Sequence, residues 1–257
     1  MVPRDVAGLI EAAKAARADR GTAARLRRLL DLTTLNGDER PAEIGALCRD
    51  AMVAEVAAVC LYPSCLPQAK RLLEGSGVRL ATVAAFPAGG DDIAKAADEA
   101  RAAALAGADE VDVVAPIAAI MEGDIGAVGE LVAACRAAVP AGTVLKLILE
   151  TGTLERPDRI TAAARAAVME GVDFLKTSTG KAPEGATLDA AVALLAVIAE
   201  AEGQVGLKVS GGVRTADEAA AYLHLAEAVM GRDWVSPERF RIGASSLLKD
   251  LHRVEGA

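Results

Sequence analysis

The chain has 257 residues, of which 53% are hydrophobic, a composition that excludes an intrinsically disordered protein and suits one barrel-sized domain or two small ones. Lysine and arginine number 28 and aspartate and glutamate 36, so the net charge of −8 argues against general binding to nucleic acid or to a membrane surface. The longest uncharged stretch, 56–69, is interrupted by prolines and is too short to span a membrane. Arg4, Asp5 and Glu11 stand where a secretory signal would be apolar, which predicts a cytoplasmic protein.

Short apolar runs recur along the chain, separated by longer alanine-rich stretches with helical periodicity. The runs predicted to be strands are 29–33, 56–62, 79–86, 110–115, 144–151, 173–178, 205–210 and 239–243. The helices predicted between them are 40–54, 64–74, 91–106, 125–138, 157–170, 188–202 and 215–230, with a last helix that begins near 245.

This alternation of eight strands with eight helices predicts an α/β fold, the (β/α)8 TIM barrel. The runner-up is a doubly wound sheet, which usually has a glycine-rich first turn that this sequence lacks. Residues 1–28 precede the first strand, and 4–20 are predicted to form an extra N-terminal helix that plugs the bottom of the barrel. No internal linker is visible, so residues 1–257 are interpreted as one domain.

Metal and cofactor motifs are absent from the sequence. It has two histidines without an HExxH pattern and four cysteines without a CxxC pattern. The glycine-rich nucleotide-binding patterns are also missing. We therefore predict no metal, no cofactor and cysteines that stay reduced.

Three of the eight lysines, Lys146, Lys176 and Lys208, lie inside short apolar runs, where a charged amine is costly. Neighbouring strands are about 4.8 Å apart, so the amines of Lys176 and Lys208 can lie close together if both point into the barrel. Crowding and loss of water then favour a neutral amine, which can attack a carbonyl and form a Schiff base. Asp112 is the candidate to move protons or to balance the remaining cation. The alternative is that each lysine reaches the rim and is merely solvated.

Lys146 has two interpretations. It is either a residue of the pocket or a structural ion-pair partner of Glu150 or of another acid nearby.

Two loops predict an anion site. Residues 211–213 follow the seventh strand, and 243–246 follow the eighth strand and open a helix. Free backbone amides at glycines and a helix N-terminus bind phosphate, and barrels usually place such a site in these two loops. Lys181 and Arg214 can add positive charge, although the glycines can also be simple turn residues. Together with the lysines, these loops predict a Schiff-base lyase or isomerase that acts on a small phosphorylated carbonyl compound.

A set of ordered motifs makes the chain similar to the deoxyribose-phosphate aldolase family of class I aldolases. The motifs are LDLTTLN at 30–36, VCLYP at 59–63, FPAGG at 86–90, ADEVDVV at 108–114, LKLILETG at 145–152, FLKTSTGK at 174–181, KVSGGVRT at 208–215 and RIGASS at 241–246. Each motif is weak alone, but the set in this order is specific and covers 30–248. Many members end in a tyrosine, whereas this sequence has none after Tyr222.

The resemblance implies roles for individual residues. Lys176 matches the Schiff-base lysine, Lys208 the lysine that tunes it, and Asp112 the relay acid. In the substrate pocket, Asp31 matches a residue that positions a hydroxyl, and Cys60 matches a cysteine beside the aldehyde. The other matches are Lys146 as a pocket lysine, Thr179 near the catalytic water, and Lys181, Gly212, Arg214, Gly243, Ser245 and Ser246 at the phosphate end.

The activity implied is the reversible cleavage of 2-deoxy-D-ribose 5-phosphate to D-glyceraldehyde 3-phosphate and acetaldehyde, without metal or cofactor. The implied partner is a small phosphorylated sugar, with no nucleic acid and no membrane, and the chain is expected to form a homodimer. Two alternatives stay open. One is another lysine-dependent barrel with a different sugar phosphate, and the other is a non-catalytic barrel that binds a phosphorylated sugar.

Overall fold

The computed structural model describes residues 5–256, and within them eight parallel strands form a closed barrel in sequence order. The strands are β1 (Leu30–Thr33), β2 (Ala58–Leu61), β3 (Arg79–Ala84), β4 (Glu110–Val114), β5 (Val144–Ile148), β6 (Phe174–Lys176), β7 (Gly206–Ser210) and β8 (Phe240–Ala244). Pairing of β1 with β8 closes the barrel. This confirms the predicted (β/α)8 fold.

Twelve α-helices occur within residues 5–256. They are α1 (Val6–Ala15), α2 (Arg20–Arg28), α3 (Pro41–Ala54), α4 (Leu66–Leu73), α5 (Ile93–Leu105), α6 (Ile117–Glu122), α7 (Gly126–Ala138), α8 (Thr151–Leu154), α9 (Pro157–Met169), α10 (Leu188–Glu200), α11 (Ala216–Met230) and α12 (Leu247–Glu255). The predicted helices and strands are all present with shifted ends, whereas α6 and α8 were not predicted. None of the helices in this part of the chain is long and apolar enough to cross a bilayer.

The fifth strand is shorter than its apolar run predicts. The run extends over 144–151, but β5 ends at Ile148, and Glu150 has a φ of 53°. This left-handed backbone conformation turns the chain out of the sheet and into α8. Burial continues beyond the turn, at Thr151 and Leu154, so the buried stretch is longer than the strand.

The N-terminal extension differs from the single helix predicted over 4–20. Arg4 lies outside the described residues, and the rest forms α1 and α2. The chain leaves the helical conformation at Ala16, and the Asp19 carboxylate accepts a hydrogen bond from the Thr22 amide (2.7 Å), which begins α2. Helix α1 packs on α10 and α11, so it covers the outer layer of helices instead of plugging the barrel.

The inside of the barrel has an apolar part and a charged part. The apolar part consists of Leu35, Ala58, Cys60, Ala81 and Val83. The charged part is formed by charged side chains that face inward from β1 and from β4 to β8. They alternate along each strand with side chains that pack under the helices. The sheet therefore places its buried charges together, on one side of the interior.

Candidate active site

Six buried charged side chains form a closed ring of ion pairs inside the barrel, with acids and bases in alternation. In order around the ring they are Arg241, Asp31, Lys208, Asp112, Lys146 and Glu110. The six nitrogen–oxygen distances, starting from the first pair and ending with the pair that closes the ring, are 2.6, 2.6, 2.8, 2.7, 2.5 and 3.0 Å. Each ring member thus contacts two opposite charges, and the ring as a whole is neutral.

Lys176 is a seventh charged group and lies outside the ring. Its Nζ is 2.8 Å from Oδ2 of Asp112, the same oxygen that lies 2.8 Å from Nζ of Lys208. Lys176 and Lys208 therefore lie on the same face of the sheet and close together, as the period of two predicts. Four bases now face three acids, so one positive charge has no acid of its own.

The pKa of Lys176 reflects this shortage. Burial lowers its pKa, the Asp112 carboxylate opposes that effect, and the Lys208 ammonium adds to it, with a net result below the usual value. The pKa of Lys208 is shifted in the opposite direction. Burial also acts on Lys208, but Asp112 and Asp31 outweigh it and raise the pKa of Lys208 well above its usual value. Of the two neighbouring amines, Lys176 is therefore the one that loses its proton more readily.

Asp112 stays ionised. Burial alone would raise its pKa, but Lys146, Lys176 and Lys208 outweigh that and hold the pKa well below its usual value. Sequence reasoning left open whether Asp112 moves protons or balances charge. A carboxylate held in its charged form by the neighbouring lysines suits the second role.

The strand register places these groups side by side in two pairs. Lys176 is paired with Lys208 across β6 and β7, and Asp112 with Lys146 across β4 and β5. Space for the long side chains comes from small neighbours. A Cβ added to Gly243 of β8 would lie 3.0 Å from Cε of Lys208, so glycine leaves the room that this lysine occupies.

A cavity of about 350 Å³ opens at the carboxyl ends of β1, β6, β7 and β8. Lys176 is the one of the four clustered bases that lines it. Seven further residues singled out from the sequence also line it, namely Thr179, Lys181, Gly212, Arg214, Gly243, Ser245 and Ser246. The cavity therefore joins the unmatched amine to the loops expected to bind an anion.

Five predicted site residues are not on the cavity wall. They are Asp31, Cys60, Asp112, Lys146 and Lys208. Four of them belong to the ring, and Lys146 pairs with Glu110 and Asp112 and not with Glu150. The fifth, Cys60, is fully buried, and burial raises the pKa of its thiol. The direct substrate contacts that the resemblance implies for Asp31, Cys60 and Lys146 stay predictions.

Glu150 supports the cavity wall, a role that the sequence analysis did not predict. The buried carboxylate of Glu150 accepts hydrogen bonds from the Thr179 amide (3.3 Å) and from the Thr179 hydroxyl. The Thr179 hydroxyl oxygen in turn accepts a hydrogen bond from the amide of Lys181 (3.0 Å). Glu150 thereby holds the loop after β6 against the end of β5.

The ring contains two further residues that sequence reasoning missed, Glu110 and Arg241. A signal for both was present. Glu110 is two positions before Asp112, and Arg241 is two positions before Gly243, so the period of two places each on an inward face. Their pairing with each other across the barrel at 3.0 Å depends on how the sheet closes.

No group of three or more His, Cys, Asp or Glu side chains with the geometry of a metal site occurs in residues 5–256.

Comparison with known proteins places the chain in a family. The model of the DeoC/LacD family of aldolases matches residues 26–253. The chain belongs to the DeoC/LacD aldolase family. It is therefore an aldolase, an enzyme of the lyase class.

Two solved structures agree with this assignment. A protein of Coccidioides immitis, provisionally described as a deoxyribose-phosphate aldolase, is 26% identical, with 97% of this chain and 96% of that chain covered and a TM-score of 0.82. The deoxyribose phosphate aldolase of Aeropyrum pernix, described as having a unique tetrameric structure, is also 26% identical, with 96% and 97% covered and a TM-score of 0.77.

Proposed function

We propose that this member of the DeoC/LacD family is a deoxyribose-phosphate aldolase that uses Lys176 as a Schiff-base nucleophile. The substrate is 2-deoxy-D-ribose 5-phosphate, and the products are acetaldehyde and D-glyceraldehyde 3-phosphate. One observation carries the proposal. Lys176, which shares its one acid with two other lysines, is the clustered base that lines the cavity. The loops predicted to bind an anion line the same cavity.

The first step of the proposed reaction forms an imine. The neutral amine of Lys176 adds to the C1 carbonyl of the open-chain sugar. The hydroxyl of the resulting carbinolamine takes a proton from solvent water and leaves as water, which gives a protonated imine. The new positive charge develops beside Asp112, whose oxygen lies 2.8 Å from the Lys176 nitrogen. A fixed carboxylate at that distance stabilises the cation without having to reorganise.

Cleavage then uses the imine as an electron acceptor. The C3 hydroxyl loses its proton to water, its electrons form the carbonyl of glyceraldehyde 3-phosphate, and the C2–C3 bond breaks. The electrons of that bond reach the imine nitrogen and leave a two-carbon enamine. Protonation of the enamine at C2 and hydrolysis of the imine release acetaldehyde and regenerate the amine.

The phosphate is assigned to the loops after β6, β7 and β8. Gly211 and Gly212 have φ values of 87° and 90°, so the chain turns here in a conformation that suits glycine. Ser245 and Ser246 are exposed at the start of α12, where free amides and the helix dipole favour an anion. Lys181 and Arg214 add charge. Binding of the remote phosphate orients the reacting aldehyde at Lys176.

Assembly and location belong to the same proposal. The expected homodimer is tested by light scattering, and the tetramer described for the Aeropyrum pernix protein shows that a related barrel assembles. A cytoplasmic location stays a prediction of the sequence.

Turnover of the phosphorylated sugar tests the proposed reaction. Purified protein is incubated with 2-deoxyribose 5-phosphate, and acetaldehyde and triose phosphate are measured separately. We expect equal amounts of both products from the wild type and from the exposed control Lys249→Met. Loss of the nucleophile in Lys176→Met is expected to reduce the rate by at least roughly 1,000-fold. Cleavage of a different sugar phosphate only would point to another class I aldolase, and binding of the sugar phosphate without cleavage would point to a non-catalytic barrel.

A further inference from the structure

Glu110 and Arg241, like the other members of the ring, do not reach the cavity. Both are buried, and neither lines the cavity wall. Arg241 donates to Asp31 (2.6 Å) and to Glu110 (3.0 Å), and its Nε donates to the carbonyl of Pro237. Glu110 is also the second acid of Lys146, at 2.5 Å. The two residues thus close the ring between Asp31 and Lys146, and neither lines the cavity.

We propose that Glu110 and Arg241 are positioning residues that make Lys176 the uncharged amine, because they close a neutral ring of ion pairs that leaves Lys176 as the one unmatched base. This inference rests on the proposed Schiff-base function. It adds two residues that act on the nucleophile through charge and not through contact with substrate.

The protonation of Lys176 follows from the number of acids and bases inside the barrel. With the ring intact, every other base in the cluster contacts two acids, so a missing proton is least costly at Lys176. Loss of the Arg241 charge leaves three acids for three lysines, and Lys176 then becomes a matched base that keeps its proton. Loss of the Glu110 charge leaves two acids for four bases, and Lys176 loses its proton more easily.

The other charges near Lys176 do not offer a second acid. The groups that face it are Cys60 from β2, Asp112 from β4, Lys208 from β7, and Lys181 and Arg214 around the same cavity, while Asp31, Lys146, Glu110 and Arg241 complete the ring. Arg79 approaches Glu110 at 3.8 Å, but its side chain is 45% exposed, so solvent screens its charge.

The test is the pH dependence of imine formation at Lys176. Acetaldehyde and cyanoborohydride convert the imine to an N-ethyl group, and the rate of this labelling is followed at Lys176 by mass spectrometry across a range of pH. Acetaldehyde carries no phosphate, so the titration of a substrate phosphate does not enter the profile. The variants are Glu110→Gln, Arg241→Met and the double variant with both changes. Glu200→Gln is the matched control, since Glu200 pairs with Arg165 on the outer surface.

The two single variants are expected to move the acid limb of the profile in opposite directions. Glu110→Gln moves it to lower pH and Arg241→Met to higher pH, each by about one unit, the size expected for a unit charge one neighbour away in a protein interior. The double variant removes one acid and one base, so its limb returns to the wild-type position. The control keeps the wild-type profile.

Several results would overturn the inference. One is labelling of Lys176 in all variants with the acid limb of the pH profile at the wild-type position. Another is a shift of both single variants in the same direction, which indicates loosening of the barrel. If one single variant does not fold, as judged by circular dichroism, the other is compared with the double variant and decides the question. Failure of the wild type to label Lys176 would instead contradict the proposed function itself.

Discussion

The seven charged side chains inside the barrel differ in how many opposite charges each one contacts. Every member of the ring contacts two other ring members of opposite charge. Lys176 contacts one acid, Asp112, which it shares with Lys146 and Lys208. From the sequence, the reactivity of Lys176 was attributed to crowding by Lys208 together with loss of water. In the structure loss of water has the larger effect and the Lys208 charge adds to it, while Asp112 opposes both. Crowding affects both amines alike, so it does not determine which of them loses its proton. The ring of ion pairs does, because it includes Lys208 and leaves Lys176 outside.

Replacement of Lys208 by leucine tests this account at the level of one residue. Lys208→Leu leaves three bases for three acids, so Lys176 gains a full partner and its pKa rises. A larger fraction of Lys176 is then protonated at neutral pH. We expect activity to fall by about 100-fold or more, with partial recovery at alkaline pH. The pH profile of kcat/KM measures this, with Lys249→Leu as the exposed control. Wild-type turnover with an unmoved acid limb would refute the pairing.

The loops at the carboxyl ends of the strands carry the second half of the site. Their positions depend on contacts between loops that lie far apart in sequence, as the link from Glu150 to Thr179 illustrates. Neither residue of that link is apolar, and the left-handed conformation of Glu150 is set by the turn out of β5. The end of β5 and the short helix α8 were for that reason not predictable from periodicity.

Glu150→Gln is expected to weaken binding of the sugar phosphate more than it slows chemistry. Glutamine keeps the size of the side chain but offers one acceptor oxygen and no charge to Thr179. We expect KM to rise by about 10-fold, the loss of one charge-assisted hydrogen bond, with a smaller change in kcat. Steady-state kinetics measure the two constants, and Glu155→Gln, an exposed glutamate of the same turn, is the control. A fall in kcat at unchanged KM would assign Glu150 to the chemistry instead.

Gly206→Ala tests how tightly the strands are packed at the base of β7. A Cβ at this position would lie 2.4 Å from the ring of Phe174 and 2.8 Å from the carbonyl of Arg239. Forcing these groups apart is expected to lower the free energy of unfolding by about 1–3 kcal/mol. Gly142→Ala is the matched control, because a Cβ there meets nothing within 4 Å, and its expected change is within about 0.5 kcal/mol. Equal urea midpoints for both variants would contradict the packing described.

The molecule as a whole shows which parts of the structure were predictable from sequence. Alternating apolar runs and helical stretches fixed the order of strands and helices, and with it the barrel. The period of two placed Lys176 and Lys208 on one face because both belong to regular strands. The ring was not predictable in full, since the contact of Arg241 with Glu110 joins β8 to β4 and exists only once the sheet has closed. The break at 16–19 in the N-terminal extension was also missed, although Asp19 is a typical capping residue.

A chelator tests the prediction that catalysis by the whole enzyme needs no metal. Charge compensation for the imine comes from Asp112 in the account above, so EDTA is expected to leave the rate of sugar phosphate cleavage unchanged. The measurement is made before and after extensive dialysis against the chelator. A strong loss of activity that added divalent cations restore would indicate a metal-dependent aldolase.

The most direct test of the central claim is to trap the imine and locate it. The wild-type protein is incubated with acetaldehyde, reduced with borohydride, digested and mapped by mass spectrometry. The account predicts one N-ethyl group on Lys176, with Lys146 and Lys208 unmodified because both stay protonated in the ring. Modification of Lys208 or Lys146 in place of Lys176, or no adduct at any of the three, would contradict it.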